Sequence, residues 1–167
     1  ELAKEIFNER YWIKKAGEND LADSREKMRD FIDTLHAIIN DFEKTLRNTG
    51  KEGFQIISDN SLEPSDFKNG TFSYLAKLSN KDNYPDKIEP GKIVRKIIDG
   101  MDTWYSQKSV KKAQINEAAN NGLDDCLKKA IGYYDSNFRN YITAKELIKT
   151  VYVLGIYRDL MDRLRQY

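Results

Sequence analysis

"REKMRDFIDTLHAIINDFEKTL", residues 25–46, decides the fold class. Met28, Phe31, Leu35, Ile38, Phe42 and Leu46 fall at steps of three and four, with Ile32 and Ile39 beside them. That spacing lines one face of an α-helix; a strand would alternate every second residue. The stripe predicts a helix from Asp20 or Ser24 to about Arg47. "NTGKEG", residues 48–53, then places glycines where a helix C-cap belongs.

The same periodicity extends in both directions. Residues 1–15 carry Leu2, Ile6, Phe7, Tyr11, Trp12 and Ile13 as a short amphipathic helix, which "GEND" separates from the long one. "FQIISDNSLEPSD", residues 54–66, leaves room for a short extended piece, and Ser65 or Asp66 caps a brief helix through Leu78. Residues 79–91, "SNKDNYPDKIEPG", concentrate Asn, Asp, Pro and Gly and read as the longest loop, the place for any internal boundary. Helical spacing resumes through Ile93, Val94, Ile97, Ile98, Met101, Trp104 and Tyr105, then over about 109–120, and again over 123–135 after "NNG". Thr143 with Glu146 three residues on has the capping-box arrangement, opening a last helix to about Arg165. Its stretch from Leu147 to Tyr157 is apolar on most sides and predicts a buried C-terminal helix. The expectation is an all-α irregular bundle of five to seven helices with a long second helix, forming a single helical domain over residues 1–167.

A chain of 167 residues is long enough to bury a core without disulfides or metals. Its 33% charged and 11% aromatic residues exclude a disordered or fibrous class. Cys126 stands alone, so no internal disulfide forms, and the single histidine leaves no structural zinc set. The lone cysteine favours a cytoplasmic location. Because the chain begins with Glu1, we expect a domain excised from a larger protein, which leaves secretion and lipid anchoring open. The longest apolar run, 151–157, falls far short of the roughly 20 residues of a membrane span.

Arg29 and the only histidine, His36, share the long helix. Seven residues at about 100° each bring them to nearly the same azimuth, about 10 Å apart along the axis. "RDFIDTLH", residues 29–36, resembles the R-x4-6-H motif of the HEPN family of all-helical ribonucleases, with Asp30 as the polar residue after the arginine. The resemblance implies metal-free RNA cleavage at a dimer interface, His36 moving a proton and Arg29 steadying phosphate. Read from the residues alone, the two are surface groups beside an apolar stripe. Glu26 and Asp33 stand in ion-pairing range of Arg29, and Asn40 or Asp33 in hydrogen-bonding range of His36.

No Walker loop, HExxH, GxSxG or GxGxxG occurs, so phosphate-loop, zinc-protease, hydrolase and dinucleotide chemistry lack their signatures and no cofactor is expected. Asp82, Asp86 and Glu89 miss the EF-hand spacing and read as solvated loop charge; "NGT" at Asn69 fits a glycosylation acceptor. Residues 1–66 carry 10 basic and 15 acidic side chains, residues 67–167 carry 18 and 12. Much of that positive excess sits at Lys92, Arg95, Lys96, Lys108, Lys111 and Lys112, which suits phosphate contact by a nucleic-acid-binding accessory domain. The primary expectation is a non-catalytic interaction module that binds another protein or another domain of its parent, with Tyr11 and Trp12 as aromatic anchors. The alternatives are nucleic-acid binding through residues 92–112 and the ribonuclease of Arg29 and His36.

Overall fold

A computed structural model of the protein describes residues 21–164. They are all-α. Helix α1 spans Leu21–Asp59, α2 Asn69–Ser79, α3 Lys92–Ile98, α4 Lys112–Ala118 and α5 Asp124–Leu164. A π-turn at Ala119–Leu123 carries α4 directly into α5, so the described residues hold four continuous helical segments rather than five to seven. Single 3-10 turns occupy Pro64–Asp66 and Lys81–Asn83. Among the described residues no strand forms. One antiparallel bridge joins Phe67 to Tyr105, where the Lys68 N–H donates to the Trp104 carbonyl at 2.8 Å.

The helix count falls because the breaks expected at "NNG" and at Thr143 are read through, and because the helix expected over residues 1–15 lies outside the described residues; α1 also runs past its expected stop. Gly50 and Gly53 do not cap α1; they lie inside it and are buried. A Cβ on Gly50 would come within 2.8 Å of Ser79 Oγ and 3.0 Å of Leu78 Cβ, and one on Gly53 within 3.1 Å of Leu75. These glycines let α2 approach the backbone of α1, and packing outweighs the roughly 1 kcal/mol each glycine costs a helix interior. The extended piece expected after residue 53 is therefore helix as far as Asp59.

Thr143 likewise caps nothing, because it lies within the 41 residues of α5. Tyr134, Phe138 and Tyr141 recur there at steps of four and three, and they pack against Phe42 of α1. That aromatic face bridges the polar stretch 135–140, whose Asn137 side chain donates to the Tyr133 carbonyl inside the helix. Gly122, at φ +117°, does what "NNG" suggested and breaks the regular turn, but it bends the chain into α5 without ending it.

Two compact units divide the chain, one of residues 38–143 and one of residues 1–37 with 144–167. The first unit holds the aromatic centre. Phe42 stacks on Tyr141 with centroids 4.3 Å apart, and Leu46, Leu75, Leu78, Ile88, Ile115, Leu123 and Leu127 are fully buried around the same core. The 79–91 loop lies within this unit and is tied to it. Ile88 and Pro90 are buried, and the Tyr84 hydroxyl donates to the Leu78 carbonyl at 2.9 Å.

The second unit is described over residues 21–37 and 144–164. Where burial is defined there, only Leu35 and Ala144 are buried. Over residues 147–153 the C-terminal helix is less covered than its composition predicts: Leu147 is exposed, Tyr152 is 53% exposed and Val153 65%, while the side chains of 154–157 lie outside those described. No described helix is long and apolar enough to cross a membrane.

Candidate functional site

Arg29 and His36 lie on α1 with their side chains exposed, as do Met28 and Phe31 beside them. Near them, Thr34 Oγ1 donates to the Asp30 carbonyl at 2.8 Å, an ordinary bond within the helix. No described group converges on the pair to orient the imidazole. Tyr11 and Trp12 lie outside the described residues.

The basic residues of 92–112 separate into engaged and unengaged groups. Arg95 forms a bidentate pair with Asp135 of α5, at 2.7 and 2.8 Å. This fork raises the Arg95 pKa and holds the Asp135 carboxyl below the usual carboxylate range. Lys111 donates to Asp66 at 3.0 Å; the Glu63 backbone N–H and then Lys111 keep the Asp66 carboxylate charged. Both cations therefore clamp this unit together. Lys96 lies near enough to Asp102 to favour its charged form, after Lys68 at 2.6 Å. Lys112 stands 5.8 Å from the Tyr105 ring centroid. Lys92 and Lys108 are exposed, and no ion pair holds either among the described residues.

Cys126 is buried, donates its thiol to the Thr49 carbonyl at 3.0 Å, and has its pKa pushed up to about 11 by burial. It packs as a small apolar group where Gly53 passes it, and burial together with the Glu52 charge outweighs the nearby Lys129, so the thiol is kept from the thiolate form that reactivity needs. Among the described residues no cluster of three or more His, Cys, Asp or Glu side chains could hold a metal ion.

What the periodicity missed is a solvent-facing apolar surface. Met28 and Phe31 continue the stripe that Phe42 and Leu46 bury further along α1, and in the same unit Leu147, Tyr152 and Val153 of α5 are exposed. The stripe was visible in the sequence; the residue at which it stops being covered was not. Burial depends on how far neighbouring helices reach, and helical spacing carries no such information. No family model, curated protein or solved structure matches this chain.

Proposed function

We propose that the chain is a non-catalytic helical interaction module that binds another protein through the apolar faces of α1 and α5 in the unit of residues 1–37 and 144–167. The exposure of Met28, Phe31, Leu147, Tyr152 and Val153 within that unit carries this reading. Covering the remaining exposed half of each such side chain gains roughly 1 kcal/mol, about half of what full burial from water gives, which favours association over solvation. Charged neighbours, among them Arg29, Asp30, Asp33 and Lys149, supply a polar rim. The double variant Phe31→Asp, Tyr152→Asp tests it. A partner isolated on the wild-type chain and then purified should bind the variant at least about tenfold more weakly. Equal affinity overturns the proposal.

A second reading is supported by Lys92 and Lys108, exposed and outside any ion pair among the described residues, and by Lys112 near the Tyr105 ring: an accessory domain that contacts nucleic-acid phosphates. Gel-shift measurements with RNA and DNA at two salt concentrations separate it from protein binding, since phosphate contact weakens steeply with salt. If RNA is cleaved in the same assay, loss of cleavage in His36→Ala would assign the ribonuclease role that the motif resemblance implies.

A further inference from the structure

The core unit carries a recess of about 390 Å³ whose two walls differ in chemistry. One wall is Tyr134, Phe138 and Ile142, at steps of four along one face of α5. The other is Pro85, Asp86 and Glu89, from the segment that leads to α3. Tyr134 and Phe138 stack with centroids 4.5 Å apart, forming an aromatic floor. Asp86 and Glu89 are exposed at the rim.

No ion pair holds either carboxylate among the described residues, a state they share with other surface acids such as Asp82 and Asp99; what sets these two apart is their place on the edge of the recess. Their negative potential reaches the floor. The Tyr134 hydroxyl is pushed up to about 12, first by burial and then by Glu89 and Asp135, and Asp86 acts in the same sense on Tyr141. Arg95, the cation that opposes this at Tyr134, is committed to Asp135.

A hard metal ion is a poor occupant, because calcium takes about six to eight oxygen ligands and two carboxylates beside aromatic rings supply too few. Aromatic rings with carboxylates at the edge suit a soft organic cation on an apolar stem, the stem lying on the rings and the charge meeting the acids. The recess is open to solvent, so a free small molecule would leave much of its surface wet, while a side chain presented by a polypeptide would not.

We infer that the recess between residues 85–89 and the Tyr134–Phe138–Ile142 face of α5 receives an arginine or lysine side chain of a partner protein. This rests on the reading of the chain as a protein-binding module and adds a basic residue to what the partner must carry. The docking acids, Asp86 and Glu89, belong to the loop where charge alone suggested only solvation.

The test is an NMR titration of the full chain, following the Ile142 methyl and Phe138 ring signals. The probes are an end-blocked arginine tripeptide, its citrulline counterpart and butylguanidinium. Citrulline keeps the shape of arginine and loses the charge. The arginine peptide should give saturable shifts at Ile142 and Phe138, and both the citrulline peptide and the Glu89→Gln variant should weaken binding by roughly fivefold or more. Glu89 is exposed and makes no ion pair among the described residues, so Glu89→Gln leaves the fold intact, which circular dichroism checks. Equal binding of citrulline, or no saturable shift with arginine, overturns the inference. Butylguanidinium binding as tightly as the peptide reassigns the recess to small cations and overturns the partner assignment. The Phe31→Asp, Tyr152→Asp chain should titrate unchanged. Its loss of partner binding therefore reports on the apolar faces and not on the recess.

Discussion

Glycines in this chain act in opposite ways depending on what stands opposite them. Gly50 faces Ser79, Leu78 and the Leu75 carbonyl at 2.8–3.1 Å from a hypothetical Cβ, while Gly132, exposed in α5, faces open space. Both occupy helix interiors, so alanine gains up to about 1 kcal/mol of helix propensity at either. At Gly50 the added methyl must displace the backbone and side chains of α2, an overpacking cost of about 1–3 kcal/mol that exceeds the gain. Gly50→Ala should therefore lower the unfolding free energy, and Gly132→Ala should raise it by about 0.5–1 kcal/mol, both measured by urea unfolding. Equal shifts of the two variants would remove the close approach of α2 to α1 from the account of the fold. A glycine's role here was illegible from its local sequence, because "NTGKEG" has the composition of a helix end and the deciding atoms lie some 25 residues away.

Helices α1 and α5 owe their join within the core unit to one aromatic cluster. Phe42 is 1% exposed, stacks on Tyr141 and meets Tyr133, Tyr134 and Phe138 within about 6 Å of its centroid. Removing its ring leaves a cavity lined by four other rings, and Phe42→Ala should cost about 3–5 kcal/mol in equilibrium unfolding. The Arg95–Asp135 fork, 40% and 47% exposed, is screened by solvent, and Arg95→Ala should cost no more than about 1 kcal/mol. That fork ties α3 to α5, and if its loss proved the costlier one, electrostatics and not aromatic burial would dominate the packing around α5. The same cluster explains why α5 passes Thr143 without a break. A capping box is worth about 1 kcal/mol, less than the burial of Tyr141 on one side of it and Ala144 on the other.

The protein as a whole should be limited at alkaline pH by its buried tyrosines. Tyr74, Tyr84, Tyr134 and Tyr141 all have pKa values raised, foremost by burial, above the ordinary 10.0. Below about pH 10 these phenols are protonated whether the chain is folded or not, so they leave stability unaffected. Above it the unfolded chain ionises and the folded one does not, which draws the equilibrium towards unfolding. Loss of helical ellipticity should therefore coincide with a cooperative rise of tyrosinate absorbance above about pH 10. Tyrosinate forming while the ellipticity is unchanged would contradict it. At the acid end the sign reverses: Asp66 and Asp135 carry depressed pKa values, so their contribution is present above pH 3.8 and fades as pH falls through the lower folded values.

Helical class, the stripe from Met28 to Leu46 and the tie of the chain to water-excluding seams are properties of local order, because a 3.6-residue period orients side chains whatever the rest of the molecule does. Where each helix stops, which acids hold which bases, and which part of the stripe meets water are not local. They depend on contacts between residues such as Gly50 and Ser79, Arg95 and Asp135, or Phe42 and Tyr141, which are 29 to 99 positions apart in the chain and adjacent in the fold. Burial energy gathered across those separations exceeds the capping and breaking preferences of single residues, and so it overrides them.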